Sequence, residues 1–460
     1  MELISSWITG GVAVLGLGVS GLAAAEYLDG LGARPLYLAE ERVPRESERV
    51  ERLVRRGARL LPSLPENLPL QLLVRSPGIP PSHPSVASAL RRGIPVTTEV
   101  GLYLAEARIP ILAVTGSDGK TTTVSLAHAM LTEAGRRYLL GGNIGRSLLP
   151  SLDGDAEGAV LELSSFQLLD AFSLGRAEAV PRRAAILNLT ENHLDFHGTM
   201  QAYADAKRSI LSPSTEAVLP LSLAPLAIGT RAPRRFFSLA PCEPPREAYL
   251  YYPDGGSVRR RGFGEDSLLF SYEGFSPIGE HNLLNLLAAA ALTDGLVPRE
   301  AAERAVSAFR GVPHRIEAVG YRRGALCIDS SIDSTPARTA ATLRALPDRS
   351  ILLLLGGAGK GLSLSPLLDA LSPRVRATVT FGREGNAIAD AIVSDGRWRG
   401  IPIRARGFDA AVGAAVGLLS EGDTLLLSPA CTSYDEFHDY TERGRRFRAL
   451  LGFEEKDKDS

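Results

Sequence analysis

The residues best suited to chemistry lie in the stretch 111–123, ILAVTGSDGKTTT. The apolar run 111–114 predicts a buried strand that breaks at Gly116, and a helical pattern begins near Thr121. Two glycines let backbone N–H groups approach an anion, Lys120 can reach the outer phosphates, and Thr121 can hold Mg²⁺. The glycines are closer together than in the commonest phosphate loop, so a turn that binds nothing is the alternative. The context favours a nucleoside triphosphate site.

An acidic residue, Glu162, directly follows the apolar run 159–161. A carboxylate at the end of a strand beside a phosphate loop is a usual Mg²⁺ ligand, because the ion prefers hard oxygen atoms. A surface carboxylate is the alternative. Further along, the spacing of His193 and His197 would also suit a metal, although imidazole prefers softer ions than Mg²⁺. An ordinary polar loop explains this histidine pair equally well.

A second glycine turn, GLGVSG at 16–21, follows the apolar run 12–15 and precedes a predicted helix. This order is typical of a Rossmann-type unit, in which the start of a helix faces an anion. The next strand leads to Glu40 and Arg42, which could meet a ribose or a phosphate, and a third strand ends in the turn 76–79. The turn could bind NAD(P) for hydride transfer or another nucleotide diphosphate. The triphosphate loop downstream favours the second.

The later part of the chain again alternates strands and helices from about residue 311, which predicts another Rossmann-like unit. Within it, the glycine-rich stretch 356–361 suggests one more anion-facing loop. Before it, Asn282 and Asn285 lie three residues apart and therefore on one helix face. Their amides could read the edge of a base or cap the helix. Residues 212–278 are expected to form short strands and loops that cover one side of the middle domain.

The composition sets limits on the class of protein. With 460 residues the chain should form two or three domains, and 45% hydrophobic and 22% charged residues are typical of a soluble globular protein. The net charge of −1 gives no field that would attract nucleic acid. Three widely separated cysteines suggest neither disulfides nor a zinc site. We find no signal peptide or membrane-spanning run, and we expect a cytoplasmic monomer that acts on small molecules.

Taken together, the motifs resemble the Mur ligase family, whose members add amino acids to the peptidoglycan precursor. The motifs that carry this resemblance run in family order over nearly the whole chain: GLGVSG (16–21), SPGIP (76–80), TGSDGKTTT (115–123), GGNIG (141–145), ELSSFQL (162–168), NLTENHLDFHG (188–198), YADAK (203–207), GEHNLLN (279–285), GVPHR (311–315), GGAGKG (356–361) and SPACTSYDEF (428–437). Two of them, ELSSFQL and SPACTSYDEF, are similar to the glutamate-adding branch.

The resemblance implies an α/β protein of three domains. We expect a Rossmann-like UDP-binding domain at 1–108, a central P-loop ATPase with a mainly parallel sheet at 109–310, and a C-terminal Rossmann-like domain at 311–460. The implied reaction is ATP-dependent ligation of D-glutamate to UDP-N-acetylmuramoyl-L-alanine through an acyl phosphate. The implied cofactors are ATP, one or two Mg²⁺ ions and a carbamate formed from CO₂ on Lys207.

The resemblance also implies roles for individual residues. The catalytic residues would be Lys120, Glu162, His193 and Lys207. ATP would be bound by Gly116, Ser117, Asp118, Gly119, Lys120, Thr121, Thr122, Asn282, Asn285, Arg315 and Asp329. The UDP substrate would be bound by Gly16, Leu17, Gly18, Val19, Ser20, Glu40, Arg42, Ser76, Pro77, Gly78, Asn143 and His193. The acceptor amino acid would meet Ser334, Lys360, Ser433, Tyr434 and Tyr440. Mg²⁺ would be held by Thr121, Glu162, His193 and the carbamate of Lys207.

The sequence departs from the family pattern near the expected acceptor site. Ile332 stands where a lysine often helps to hold the amino-acid carboxylate, and Ser330 replaces an aspartate, with Asp329 one place earlier. Tyr440 replaces a frequent phenylalanine, and Asn192 a frequent aspartate. Three alternatives therefore stay open: the same ligation with another acceptor (L-glutamate, or that of a sister Mur or folylpolyglutamate-type ligase), a nicotinamide oxidoreductase, and a non-catalytic module that binds a UDP-sugar.

Overall fold

The computed structural model describes residue 4 and residues 7–40, 48–174, 180–191, 194–277, 279–346, 350–359, 361–371, 374–400 and 402–453. Four residues that the sequence singled out, Arg42, Asn192, His193 and Lys360, lie outside this described part. The described residues form three mainly parallel β-sheets with helices packed on them, so the chain has the expected three-domain α/β fold. None of the described helices is long and apolar enough to cross a lipid bilayer.

The first sheet has the strand order β3-β2-β1-β4-β5, with every pair parallel. Its strands are β1 (Val12–Leu15), β2 (Leu36–Ala39), β3 (Arg59–Leu61), β4 (Leu72–Arg75) and β5 (Val96–Thr97). Its helices are α1 (Val19–Gly30), α2 (Glu48–Arg55), α3 (Pro84–Arg91) and α4 (Glu99–Glu106). The strand order reverses beside β1, and ligands of such sheets bind at the carboxyl ends of the strands where the order reverses.

The central sheet has the order β14-β13-β12-β11-β10-β9-β6-β8-β7. Its strands are β6 (Ile111–Thr115), β7 (Tyr138–Gly142), β8 (Gly158–Glu162), β9 (Arg183–Ile186), β10 (Glu216–Pro220), β11 (Arg231–Phe237), β12 (Ala248–Asp254), β13 (Ser257–Gly262) and β14 (Glu265–Ser271). Its helices are α5 (Lys120–Glu133), α6 (Ser165–Leu168), α7 (Leu194–His197), α8 (Met200–Arg208), α9 (Glu280–Thr293) and α10 (Arg299–Ala308). Strands β12 to β14 pair antiparallel, and the rest pair parallel.

The region 212–278 differs from expectation. Instead of covering the middle domain, β10 to β14 extend its sheet at one edge. The predicted strand before the phosphate loop is confirmed: all five residues of β6 are buried, as they are in β8. Parallel strands with helices on both faces read as continuous apolar runs, which is why these two were visible in the sequence.

The third sheet has the order β15-β16-β20-β17-β18-β19. Its strands are β15 (Glu317–Arg322), β16 (Ala325–Asp329), β17 (Ile351–Gly356), β18 (Val375–Phe381), β19 (Ile403–Arg404) and β20 (Thr424–Ala430). Its helices are α11 (Pro336–Ala345), α12 (Ser365–Ala370), α13 (Gly385–Asp395), α14 (Phe408–Gly417) and α15 (Tyr440–Leu451). Strand β15 pairs antiparallel with β16, and the other pairs are parallel.

The chain divides into two compact units. The first holds Met1–Gly274 and His281–Ala308, and the second holds Phe275–Glu280 and Phe309–Ser460. The first two sheets share the first unit and one continuous hydrophobic core, which includes buried residues such as Leu102 and Leu161. The domain boundaries near residues 108 and 310 stay predictions.

Candidate active site

The loop between β6 and α5 depends on glycine at two positions. Gly116 has a φ of +153° and Gly119 a φ of +81°, conformations that side-chain-bearing residues rarely adopt. A Cβ atom on Gly119 would lie 2.2 Å from Oδ1 of Asn285, so helix α9 packs directly against the loop. Strand β6 ends at Thr115 and α5 begins at Lys120, which confirms the predicted strand–turn–helix arrangement.

Hydrogen bonds from the segment after β9 fix the backbone of this loop. The backbone N–H of Ser117 donates to the carbonyl of Asn188 over 3.2 Å, and that of Asp118 donates to the Asn188 side-chain oxygen over 2.9 Å. The Ser117 hydroxyl lies 3.0 Å from the carbonyl of Thr190 and 3.0 Å from the phenol oxygen of Tyr203. The loop is therefore preorganised by residues about 70 positions away in the sequence.

Two lysine ammonium groups meet beneath the loop. Lys120 Nζ donates to the carbonyl of Gly116 over 2.9 Å, and Lys207 Nζ donates to the same oxygen over 2.8 Å. Lys207 also lies 3.4 Å from Thr115 Oγ1 and 4.6 Å from the centre of the Tyr203 ring. Burial of Lys207, followed by the nearby charge of Lys120, lowers the pKa of Lys207 to about 7. In a large fraction of the molecules, Lys207 is therefore a neutral amine near pH 7.

Glu162, the last residue of β8, is buried and holds two partners through its carboxylate. Oε2 accepts a hydrogen bond from the Thr121 hydroxyl over 2.8 Å, and Oε1 accepts one from the Asn143 amide over 2.9 Å. Asn143 is held by a backbone bond of 2.7 Å to the Glu162 carbonyl. A Cβ on Gly142 would lie 2.2 Å from the same carbonyl, so the turn packs tightly on the strand end.

The oxygen atoms of Thr121 and Glu162 form a donor set that fits Mg²⁺, which binds hard oxygen ligands and usually keeps phosphate oxygens or water as well. In the described part of the chain, no group of three His, Cys, Asp or Glu side chains is placed to hold a metal ion.

His197, the last residue of α7, packs in an aromatic cluster with Phe166 of α6 and Tyr203 of α8. Its Nε2 lies 2.9 Å from the Ser165 hydroxyl, its ring stacks on Phe166, and its edge contacts Tyr203. These contacts favour a packing role for His197 over metal binding. His193, the other member of the pair, lies outside the described residues.

The two predicted asparagines of α9 lie on one helix face, as expected. Asn285 Nδ2 donates to Asn282 Oδ1 over 3.2 Å, and the hydroxyl of Thr123 in α5 lies 3.4 Å from Asn285 Oδ1. This places both amides beside the start of α5, next to the phosphate loop.

Residues predicted to bind UDP come together at the carboxyl edge of the first sheet. The Ser76 hydroxyl donates to the carbonyl of Gly16 over 2.9 Å, and Glu40 Oε2 accepts a hydrogen bond from the Leu17 N–H over 2.9 Å. A Cβ on Gly21 would lie 1.8 Å from the Gly16 carbonyl, so the turn closes tightly on α1. Of the other described members, Gly18, Pro77 and Gly78 lie on these two turns and Val19 and Ser20 begin α1. Asn143 lies apart from them, beside Glu162 in the central domain.

Asp329 in the second unit is completely buried and its carboxylate is occupied by protein groups. Oδ2 lies 2.8 Å from His314 Nδ1 and 3.1 Å from Arg448 Nη2, and Oδ1 accepts from the N–H of Ser331 over 2.9 Å. Burial opposes ionisation, but these partners hold the pKa of Asp329 below its ordinary value. A contact of Asp329 with ATP stays a prediction, as does that of Arg315.

The described residues predicted for the acceptor lie in the loops after β16 and β20 and at the start of α15. Ser433 is buried, Tyr434 is 72% exposed, and Tyr440 packs edge-on against His314. Ser334 follows Asp333, which accepts hydrogen bonds from Ser428 and Thr342. Their contact with an amino acid stays a prediction.

Comparison with known proteins is consistent with this geometry. Residues 10–98 match the family model of the Mur ligase MurD-like N-terminal domain, and residues 114–225 match that of the Mur ligase middle domain. The UDP-N-acetylmuramoylalanine–D-glutamate ligase of Symbiobacterium thermophilum is 36% identical over 95% of this chain and 97% of its own length. The enzyme of that name from Frankia casuarinae is 37% identical over 97% and 94%.

The chain belongs to the MurD group of the Mur ligase family.

A solved structure supports the fold of this MurD-group chain. The MurF ligase of Thermotoga maritima in complex with ADP superposes with a TM-score of 0.55, at 18% identity, over 91% of this chain and 95% of that one. At this identity the likeness establishes the three-domain fold.

Sequence reasoning missed several residues that build the site of this Mur ligase. Asn188 and Tyr203 lie within two of the motifs, but the sequence does not predict their hydrogen bonds to the phosphate loop. A polar residue directly after a buried strand that neighbours the loop strand was the available signal for Asn188. Arg75, which ends β4, carries no recognisable signal in the sequence, because two of its partners, Phe166 and Asp170, lie more than 90 residues away.

Proposed function

We propose that this chain ligates D-glutamate to UDP-N-acetylmuramoyl-L-alanine at the expense of ATP, in the synthesis of the peptidoglycan precursor. The observation that carries the proposal is the convergence of Lys120, Thr121 and Glu162 at the phosphate loop. The near-full-length likeness to ligases named for this reaction supports it.

The first step would activate a carboxylate. An oxygen of the terminal carboxylate of UDP-N-acetylmuramoyl-L-alanine attacks the γ-phosphorus of ATP, the bond to the bridging oxygen breaks, and ADP leaves. Lys120 and the N–H groups of the loop stabilise the charge on the transferring phosphoryl group. Mg²⁺ held by Thr121 and Glu162 would neutralise phosphate charge.

The second step would form the amide. The amine of glutamate attacks the carbonyl carbon of the acyl phosphate, a tetrahedral intermediate expels inorganic phosphate, and a proton leaves the nitrogen. Asn143, fixed by Glu162, would hold the reacting end of the substrate. His193 would join it there and at Mg²⁺.

Lys207 would carry a carbamate. Its neutral amine adds to CO₂ and releases one proton, which converts a neutral group into an anion beside the loop. A buried amine with a pKa lowered to about 7 favours this reaction, because a protonated amine cannot attack CO₂. An anionic carbamate would attract Mg²⁺, whereas an ammonium would repel it.

The remaining parts of the proposal concern binding partners and location. The turns 16–20 and 76–78, with Glu40, would hold the UDP group, and Asn282 and Asn285 would lie on the adenine side. Arg315 would approach ATP, and the loops after β16 and β20 would receive the amino acid. We expect a cytoplasmic monomer whose domains close on the bound substrates.

One observation favours a second candidate, the same ligation with a different amino acid. Ile332 stands where the family pattern places a lysine, and an aliphatic side chain cannot pair with a carboxylate. L-glutamate is then the main competitor of D-glutamate.

The deciding experiment measures phosphate release from ATP in the presence of UDP-N-acetylmuramoyl-L-alanine, with D-glutamate, L-glutamate or D-lysine in separate reactions. Turnover that depends on D-glutamate is the expected result. Turnover with another amino acid would keep the ligase and change its acceptor. No turnover with any of them, together with tight binding of UDP, would instead indicate a non-catalytic binding module.

A further inference from the structure

Arg75 is a completely buried arginine at the end of β4, directly before the turn 76–79. Its guanidinium Nη1 donates to two carbonyl oxygens of that turn, those of Pro77 over 3.1 Å and Ile79 over 2.5 Å. These bonds fix the path of the backbone on either side of Gly78. The Arg75 side chain therefore fixes the conformation of the turn that would hold the UDP group.

The other side of the same guanidinium reaches the central domain. Nη2 donates to the carbonyl of Phe166 in α6 over 3.1 Å, and Nε pairs with Oδ2 of Asp170 over 2.5 Å. Helix α6 begins three residues after Glu162, at a capping box made by Ser164 and Gln167. Arg75 thus joins the turn of the first sheet to the segment that continues from the catalytic carboxylate.

Two further contacts hold Asp170, the partner of Arg75 in the central domain. The Thr97 hydroxyl donates to the carbonyl of Asp170 over 3.3 Å. A Cβ on Gly101 would lie 3.2 Å from the same oxygen, so α4 approaches this segment closely. Asp170 is therefore anchored by its side chain and by its backbone.

We propose that Arg75 is a positioning residue. It holds the substrate turn 76–79 in a fixed position relative to Glu162 at the end of β8. This rests on the proposed function, in which the turn holds the UDP group and Glu162 lies at the reacting end. The planar fork of a guanidinium bonds several acceptors in fixed directions, which a lysine ammonium cannot reproduce. Replacing Arg75 would leave buried carbonyl groups without donors and release the turn.

A purely structural role makes a different prediction from a positioning role. Loss of stability alone lowers the fraction of active enzyme, and hence the apparent kcat, but leaves the KM of the remaining active molecules unchanged. A displaced turn raises KM for the UDP substrate while KM for ATP stays the same, because ATP is bound by the separate loop 116–121.

Arg183 offers a matched control within the same unit. It is also buried, donates from Nη1 to the carbonyls of Leu292 and Asp294 over 2.8 and 2.7 Å, and pairs with Glu216. It lies at the first residue of β9, the end opposite to the segment that fixes the phosphate loop. Arg183→Lys should lower the melting temperature without changing either KM.

The experiment compares the full-length wild-type chain with Arg75→Lys, Asp170→Asn, the double variant and Arg183→Lys. Melting temperatures, both KM values, kcat and the Kd of UDP-N-acetylmuramoyl-L-alanine by calorimetry are measured for each. We expect Arg75→Lys to raise the KM and Kd for the UDP substrate about tenfold and to change KM for ATP less than about twofold. Asp170→Asn should raise the same constants about threefold, and the double variant should be no worse than Arg75→Lys alone.

The outcomes separate this inference from the proposed function. If the wild-type chain binds no UDP substrate, the proposed function fails and the inference falls with it. If the wild type binds and Arg75→Lys binds equally well, or if Arg183→Lys weakens binding as much, the positioning role alone is overturned. If Arg75→Lys does not fold, the milder change Asp170→Asn decides between the two roles by the same comparison of KM and Kd values.

Discussion

Lys120 and Lys207 donate hydrogen bonds to one and the same acceptor, the carbonyl oxygen of Gly116, over 2.9 and 2.8 Å. Two ammonium groups this close repel each other, and the repulsion is strongest where water is excluded. The arrangement favours the loss of a proton from the more buried of the two, Lys207. The loop thereby places a largely neutral amine next to the ammonium group of Lys120.

The first prediction concerns the pH dependence of carbamate formation on Lys207. Because the folded pKa is lowered from 10.5 to about 7, roughly half of the amine is neutral at pH 7. An ordinary lysine would have only about one neutral amine in three thousand. In metal-free protein at constant dissolved ¹³CO₂, the carbamate NMR signal should rise with pH and should appear at a lower pH than that of an exposed lysine. Lys207→Met should show no signal.

Lys120→Met supplies the control for this prediction. Removing the second ammonium raises the pKa of Lys207, so the carbamate signal should then appear at higher pH. A signal that appears at the same pH in both proteins, or at the pH of an exposed lysine in the wild type, would contradict the arrangement. Partial recovery of Lys207→Ala activity by added formate or acetate would further support an anionic role.

The second prediction is loss of phosphoryl transfer in Lys120→Ala. Without the ammonium the transferring phosphoryl group loses a preorganised cation, and removal of one such donor costs about 10² to 10³ in rate. ADP formation should fall by at least this factor, with little change in melting temperature. Full activity would refute the assignment of residues 116–121 as the phosphate loop.

The third prediction tests the contact between the loop and helix α9. Gly119→Ala places a methyl group 2.2 Å from Asn285 Oδ1, so it should displace the amide and raise KM for ATP at least about tenfold. Gly135→Ala is the matched control, because Gly135 also has positive φ but faces open space. Both variants should lose about 1 kcal/mol of unfolding free energy. Equal KM values in the two would argue against the contact.

The fourth prediction concerns the stability of the second unit. Arg443 is completely buried and donates to the carbonyls of Ser331, Cys431 and Thr432. Arg443→Met would strand these acceptors and should lower the unfolding free energy by about 3 kcal/mol. On the same helix, Arg446 makes an exposed pair with Asp409, and Arg446→Met should cost less than about 1 kcal/mol. Denaturant unfolding monitored by circular dichroism measures both, and similar losses would contradict the prediction.

The sequence predicts mainly local features, namely individual strands, turns and the starts of helices. The strands before Gly16 and Gly116 and the start of α5 follow from apolar runs and glycines only a few residues apart. For residues 212–278 the sequence predicts only unspecified short strands and loops, because the arginines of β13 conceal its strand pattern. In the structure these arginines pair across the hairpin, for example Arg259 and Arg261 with Asp266.

Local sequence patterns do not predict contacts between distant parts of the chain. Arg75 and Asp170 are 95 residues apart, and Asn188 meets the phosphate loop from 70 positions away. The local sequence marks Asn188 as a polar residue near the end of a buried strand, but nothing next to Arg75 or Asp170 indicates the partner. The resemblance to Mur ligases supplied roles for motif residues, but it could not supply contacts that lie outside the motifs.

The addition of β10 to β14 at one edge of the central sheet means that changes in this extension occur away from the reactive groups. Strand β9 stands between this extension and the strands that carry the phosphate loop and Glu162. The tip of the β12–β13 hairpin, at Gly255 and Gly256, has positive φ and open space around both residues. Insertions or deletions there can accumulate without moving the reactive groups, and the same tip is a natural attachment point for a fluorescent label or an affinity tag.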